Sequence, residues 1–204
     1  MKLIIGWIII ITTLVCFKEC SVTAESIDHE DQIKPHRMTY EREWHDVIDN
    51  SSLLFDIASF ENSIGVGYIE GKWYPYPSLE GGNDTIAYGH KIQDYEKQKF
   101  KNGIGEIQAY RLLVKDIEKA VRTINIDPIV WNELSWKQKY LLIDFQFNLG
   151  NVVRIFPKFT AAVLENNKTH MLQQYKRYYK DPDGNKWELK DRNKRIRKFI
   201  INNF

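Results

Sequence analysis

Residues 80–90 read EGGNDTIAYGH and bring together a Gly-Gly pair, two carboxylates, a threonine and a histidine. The two glycines mark a turn, and the apolar alternation that begins at Thr85 favours a β-strand. Upstream, residues 66–76 are rich in β-favouring side chains and contain a second turn signal, Glu70-Gly71. These patterns predict a small two- or three-stranded sheet built of hairpins, with polar side chains beside its turns.

Helical patterns lie on both sides of this predicted sheet. Residues 51–61 carry apolar side chains at helical spacing after Ser51 or Ser52, either of which is a candidate N-cap. After about residue 104 the pattern is helical throughout. We predict a helix with an apolar stripe from Leu113 to Ile124, a buried helix WKQKYLLIDFQFN between a Ser135/Gln138 capping box and Gly150, and shorter helices near 157–166, 169–179 and 190–202. This order predicts an α+β protein with a small β-hairpin lobe, a larger helical lobe and a cleft between them.

The first residues have the pattern of an export signal. Met1-Lys2 precedes fifteen uncharged residues, and small side chains follow up to Ala24. An uncleaved membrane anchor is the alternative, but a bilayer span needs about 20 apolar residues. We therefore predict a signal peptide at 1–24, a flexible polar leader at 25–38 and one domain at 39–204. The expected mature protein is secreted and has no stable membrane insertion.

Composition limits the chemistry of that mature protein. The net charge of +2 gives no support for nucleic-acid binding. Both cysteines, Cys16 and Cys20, precede Ala24, so a cleaved chain has no disulfide, thiol nucleophile or thiolate metal site. The five histidines are scattered without metal-ligand spacing. We expect no metal and no cofactor, and carboxylates beside the sheet remain as the candidate catalysts.

Four blocks of sequence, in order, resemble the phage-type lysozymes, the muramidase endolysins among the glycoside hydrolases. They are TIAYGHKI at 85–92, GEIQAYRLLVKDIEKAVRTI at 105–124, LSWKQKYLLIDFQFNLGN at 134–151, and FPKFTAAVLENN with LKDRNKRIRKFI at 156–167 and 189–200. The resemblance implies a lysozyme that hydrolyses the β-1,4 bond between N-acetylmuramic acid and N-acetylglucosamine in bacterial peptidoglycan. It also implies the lysozyme-like fold, and we expect a monomer.

The resemblance implies a general acid at the end of the first helix, and two glutamates compete for that role. Glu61 ends the predicted helix, but its choice requires an insertion of about nine residues before Thr85, by comparison with the family. Glu70 stands at the family's usual interval from Thr85, yet it lies in a predicted turn, where a glutamate is usually only solvated. We favour Glu61 and keep Glu70 as the alternative.

The second carboxylate departs from the family pattern. Counting back from Thr85, which matches the family's water-holding threonine, the position of the usual aspartate is Leu79. Glu80 follows directly, and the adjacent glycines can aim its side chain toward the cleft. Asp84 is a further candidate, and the absence of an equivalent carboxylate is the third possibility. The last case predicts a peptidoglycan-binding protein of the same fold without catalysis.

Three more residues are candidate substrate-side groups, two of them, Arg192 and Asn148, by the resemblance. Arg192 matches the arginine that pairs with the family's catalytic glutamate, although a surface charge is the simpler interpretation. Asn148 falls near a cleft-lining amide position, or else caps the helix before Gly150. Tyr76 is a candidate for stacking on a sugar, with sheet packing as the alternative. A related muramidase that transfers the glycan instead of hydrolysing it is the rival within enzymes.

Overall fold

The computed structural model describes residues 42–62, 64–78, 84–180 and 184–204. The α-helices are α1 His45–Asn50, α2 Leu53–Glu61, α3 Lys97–Phe100, α4 Glu106–Thr123, α5 Pro128–Glu133, α6 Trp136–Leu149, α7 Val152–Ile155, α8 Pro157–Leu164, α9 Lys168–Gln174 and α10 Lys190–Asn203. The strands are β1 Tyr68–Ile69, β2 Lys72–Trp73, β3 Tyr76–Pro77, β4 Asp84–Ile86, β5 His90–Lys91, β6 Ile104–Gly105, β7 Tyr178–Lys180 and β8 Lys186–Glu188. A short 3-10 helix at Asp94–Glu96 precedes α3.

The strands form small antiparallel sheets whose order follows the hairpins. One sheet has the order β1-β2-β6, the second has the order β3-β4-β5, and β7 pairs with β8. The Glu70-Gly71 turn joins β1 to β2, as the sequence predicts. In the second sheet Thr85 lies opposite Tyr76 on one side and Lys91 on the other. The expected α+β class is confirmed.

Two apolar clusters give the molecule its core, and α4 contributes to both. Ala109, near the start of α4, packs in the smaller cluster with Trp73, Ile86 and other residues of the sheets. Leu113, Ile117 and Val121 follow on the same face and pack in the larger cluster with α6. The stripe recurs every three or four residues, which is the spacing of one helix face. This single helix therefore links the sheet region to the helical region.

Helix α6 lies in the centre of the larger cluster and is buried along most of its length. Ser135 and Gln138 form the predicted capping box at its start, and Gly150 ends it. Because neighbours cover every side of this helix, its apolar residues do not form a single stripe. Lys139 and Asp144 are buried charged residues of this helix, and the Asp144 side chain is fully buried.

Some predicted elements differ from the observed ones. The region after residue 104 is not wholly helical, since β6 completes the first sheet and the predicted helix at 169–179 ends at Gln174. The chain then forms the β7–β8 hairpin. The letters DPDGN at 181–185 are a strong turn signal between aromatic residues, and they outweigh a weak helical pattern. Helix α1, which packs Val47 into the core, was not predicted.

The predicted signal peptide and leader lie outside the described residues. Among the helices that the structure does describe, none is long and apolar enough to cross a bilayer.

Candidate active site

Glu61 is the last residue of α2, and the packing of that helix determines where its side chain lies. Leu53, Ile57 and Ala58 bury one face of α2 in the larger core. On the same helix, the Asp56 carboxylate accepts a hydrogen bond of 2.7 Å from the Tyr140 hydroxyl of α6. The helix end is therefore attached to the buried centre of the protein. The Glu61 side chain remains 22% exposed, so a group in solution can reach it.

An arginine from the last helix holds the Glu61 carboxylate. Arg192 donates from Nη2 to Glu61 Oε1 over 2.6 Å, and the Arg192 side chain is itself only 11% exposed. The guanidinium also lies 5.3 Å from the centre of the Phe60 ring. A charge-assisted hydrogen bond of this length restricts the orientation of the carboxylate. The arginine that the resemblance pairs with the family's acid thus contacts Glu61.

The β4–β5 turn approaches the other carboxylate oxygen of Glu61 closely. Gly89, in this turn, has φ +84°, and a Cβ atom placed on it would lie 3.2 Å from Glu61 Oε2. Glycine allows both the backbone angle and the close approach of the carboxylate. Thr85, in the preceding strand, is 7% exposed and lies opposite Tyr76. The hairpin that carries Thr85 therefore packs directly against Glu61.

Tyr76 belongs to this group through both packing and charge. Burial raises the pKa of its phenol, and the nearby charge of Glu61 raises that pKa further. The hydroxyl lies 3.4 Å from the carbonyl oxygen of Ala87 in the β4–β5 turn. The ring is partly buried, and the contact of its hydroxyl with Ala87 gives Tyr76 a structural role beside the hairpin.

Two of the competing carboxylates, Glu70 and Asp84, lie among the described residues, and both are exposed. Glu70 is exposed at the tip of the β1–β2 turn, with φ +47°, and belongs to the other three-stranded sheet. Asp84 is an exposed residue at the start of β4, opposite Pro77. Glu80 and Leu79 lie outside the described residues. The structure thus brings Glu61, Arg192, Tyr76 and the Thr85 hairpin together, and it places Glu70 in an exposed turn of the other sheet.

Asn148 lies at the edge of a buried charge network. Its Oδ1 is 3.4 Å from Arg177 Nη1, and the same nitrogen donates to Asp144 Oδ2 over 2.7 Å. Arg177 and Asp144 are both fully buried. Burial lowers the pKa of Arg177, and the negative charge of Asp144 opposes that shift. The Asn148 amide is therefore held by an arginine that cannot move freely.

A second arginine links this network to the helix that carries Glu61. Arg195 donates from Nη2 to Asp144 Oδ1, and its Nη1 lies 3.5 Å from Asp56 Oδ1. Its guanidinium is also 4.4 Å from the centre of the Phe60 ring, next to Glu61 in sequence. The carboxylate–arginine cluster has three acidic and three basic side chains, namely Asp56, Glu61, Asp144, Arg177, Arg192 and Arg195. The formal charges of the cluster therefore balance.

Comparison with known families identifies the group to which this arrangement belongs. The model of the family described as phage lysozyme matches residues 68–195, more than half of the chain. The chain belongs to the phage lysozyme family. No curated protein matches it. The matched segment contains Tyr76, Thr85, Asn148 and Arg192, and it begins after Glu61.

Phage lysozyme membership indicates a glycoside hydrolase that degrades peptidoglycan by a muramidase-type activity. Members of the family typically act outside the cell or on the cell wall. The described residues contain no cluster of three or more His, Cys, Asp or Glu side chains that can hold a metal ion.

The sequence predictions included Glu61 and Arg192 but missed Asn62, Arg177 and Arg195. Asp144 was recognisable as the acidic residue of a largely apolar helix, although its partners were not.

His90 is a partly buried residue with a carboxylate beside each of its ring nitrogens. Its Nδ1 lies 2.8 Å from Asp116 Oδ2 on α4, and its Nε2 lies 3.1 Å from Glu96 Oε2. Burial lowers the pKa of His90, but the two carboxylates raise it by more, so the net shift is upward. These contacts join β5 to α4 and to the short 3-10 helix.

Proposed function

We propose that this member of the phage lysozyme family hydrolyses the β-1,4 bond between N-acetylmuramic acid and N-acetylglucosamine in bacterial peptidoglycan. The observation that carries the proposal is the Glu61–Arg192 pair at the end of α2, packed against the hairpin that carries Thr85. A glycosidase needs one carboxyl group to protonate the leaving oxygen. Glu61 is at a helix end, partly exposed, and held in one orientation, as that role requires.

In the proposed mechanism the two oxygens of Glu61 have different partners. Oε1 accepts from Arg192, whereas Oε2 lies beside Gly89, whose missing side chain leaves room. We assign the transferred proton to Oε2. As the glycosidic oxygen takes that proton, the carboxylate that forms is stabilised by the guanidinium.

Water is delivered from the opposite face of the sugar in this proposal. Glu80 activates the water as the second carboxylate, and Thr85 helps to hold it. Inverting enzymes separate their two carboxyl groups by roughly 6.5–9.5 Å to leave room for the water. Asn148 and Tyr76 are proposed to contact the glycan beside this centre, and Arg192 positions the acid. Glu80→Gln is expected to reduce turnover severely without abolishing wall binding.

The first experiment compares two glutamate-to-glutamine substitutions, each of which removes one negative charge. Glu61→Gln and Glu70→Gln are assayed for release of reducing sugar from purified peptidoglycan. A general acid contributes typically 10²–10⁴-fold to the rate, so Glu61→Gln should remove nearly all turnover. Glu70→Gln should change activity only a few-fold, because Glu70 is a solvated turn residue. Unchanged circular dichroism spectra show that both variants are folded.

The same assay separates the alternatives. An active Glu61→Gln variant with an inactive Glu70→Gln variant assigns the acid to Glu70 and refutes our choice. Anhydro-sugar products identify glycan transfer instead of hydrolysis. A wild type that binds purified walls without releasing sugar would be a non-catalytic peptidoglycan-binding protein. That is the alternative predicted by Leu79 at the position of the usual aspartate.

We also propose that the chain is secreted as a monomer after cleavage behind Ala24. The mature form then begins at Glu25 and contains no titratable thiol. Intact-mass measurement of the exported protein tests this, and a mass that includes Cys16 or Cys20 contradicts it.

A further inference from the structure

Asn62 follows Glu61 directly and is a buried polar residue, with 9% of its surface exposed. Its side-chain amide nitrogen donates to the carbonyl oxygen of Ala87 and to that of Val66, each over 2.9 Å. Its Oδ1 accepts from the Val66 backbone N–H over 2.8 Å. One side chain thus forms hydrogen bonds with two different backbone segments.

These bonds join segments that no regular hydrogen-bond ladder connects. Val66 lies in the loop between α2 and β1, whereas Ala87 lies in the β4–β5 turn, two residues from Gly89. Ala87 has φ +52°, an angle that a residue with a side chain rarely adopts. The bond from Asn62 helps to hold the turn in this conformation. The Tyr76 hydroxyl also faces Ala87 O, over 3.4 Å.

The side chain of Asn62 is not needed to end its own helix. The backbone N–H of Asn62 donates to Ala58 O and closes the last turn of α2. The amide group is therefore available for the contacts with Val66 and Ala87. Because Asn62 directly follows Glu61, the geometry of its bond to Ala87 sets the distance between the helix end and the turn.

We propose that Asn62 is a positioning residue that holds Glu61 in register with the hairpin carrying Thr85. The inference rests on the proposed function, in which Glu61 donates the proton and Thr85 holds the water. Asn62 is buried behind these groups and does not itself touch the glycan. Its loss should therefore reduce the rate of the chemical step and leave substrate affinity nearly unchanged, since a misplacement of about 1 Å can cost about 10²-fold in rate.

The experiment measures kcat and KM separately on a soluble peptidoglycan fragment for the wild type and for Asn62→Ala. Gln138→Ala is the matched control, because Gln138 is also a buried amide and donates to the Val163 carbonyl over 2.7 Å in the helical region. Both variants lose a buried side-chain hydrogen bond, so both should be less stable to urea. We expect kcat of Asn62→Ala to fall about ten- to a hundredfold with KM within about twofold, and Gln138→Ala to keep its kcat.

Each outcome decides the inference. A folded Asn62→Ala with unchanged kcat overturns it, and so does a raised KM with unchanged kcat, which would make Asn62 a glycan contact. If Asn62→Ala fails to fold, Asn62→Ser is measured in its place. The serine hydroxyl is attached directly to Cβ, so it cannot bond to both the Val66 and the Ala87 segments. If Gln138→Ala loses kcat to the same extent, the fall in kcat reflects the general loss of stability, and the positioning role of Asn62 is refuted.

The proposed function is judged by the wild type in the same assay. Wild-type turnover that Glu61→Gln abolishes upholds that function, and the Asn62 result then concerns positioning alone. A wild type without turnover removes the proposed function and this inference together.

Discussion

Gly89 offers a sharp test of the proposed acid, because adding a single methyl group there acts on Glu61. In Gly89→Ala the new Cβ would lie 3.2 Å from Oε2, 3.4 Å from Cβ and 3.6 Å from Cγ of Glu61. Ordinary contacts between such atoms begin near 3.5 Å, so the carboxylate must move by a few tenths of an ångström. Its other oxygen is held by Arg192, which limits how the side chain can adjust.

The magnitude follows from two separate costs. The backbone at Gly89 has φ +84°, and a side chain in the left-handed region costs roughly 1–2 kcal/mol of folding free energy. The displacement of Glu61 is a cost to catalysis. Because about 1 Å of misplacement costs about 10²-fold, a few tenths should reduce kcat about three- to tenfold.

Gly71→Ala is the control for the backbone cost. Gly71 has φ +81°, yet a Cβ atom there would meet nothing within 4 Å. Urea unfolding should show similar losses of stability for both variants, whereas only Gly89→Ala should lose kcat on peptidoglycan. Equal kcat in the two variants, both folded, would refute the placement of the acid beside this turn. A Gly71→Ala variant that loses as much activity as Gly89→Ala would refute it as well.

Two further predictions concern charged side chains. Asp144→Asn should lower the free energy of unfolding by about 3–5 kcal/mol, because it leaves Arg177 buried without its carboxylate. In the double variant Asp144→Leu/Arg177→Met the free energy of unfolding should fall much less. A fall of less than about 1 kcal/mol in the single variant, measured by urea unfolding, contradicts this prediction. His90 has a raised folded-state pKa, so its ion pairs stabilise the fold below about pH 6.5 and lose that contribution as pH rises through the raised pKa. The stability difference between the wild type and His90→Asn should therefore shrink between about pH 6 and pH 9, and a difference that grows would disprove it.

Local patterns were enough to predict most of the helices and the first hairpin. The Ser135/Gln138 capping box and the stripe along α4 depend on residues three or four positions apart, so the sequence displays them directly. The β7–β8 hairpin was missed although its turn signal is local, because the surrounding pattern was interpreted as helical. Helix α1 was missed because it is short and buries little beyond Val47.

The candidate site was less accessible from local patterns, since its contacts join distant parts of the chain. The pairing of Arg192 with the family's acid came from the resemblance, and no spacing rule connects Arg192 to Glu61. Asp144 was conspicuous in an apolar helix, but its two arginine partners come from beyond α9 and from α10. Asn62 gave no signal at all, because an asparagine after a helix is usually an ordinary cap.

The Glu61–Arg192 pair joins residues 131 positions apart, one in the first half of the domain and the other in its last helix. A ribosome makes the chain from its N-terminus, and folding of the earlier segments can begin before the later ones exist. Helix α2, the sheets and α6 are all synthesised before α10. The proposed acid therefore lacks its guanidinium partner until α10 has been synthesised and docks. Completion of the site therefore waits for α10, and a nascent chain that stops before Lys190 would carry the hairpin and the glutamate without the ion pair that orients them.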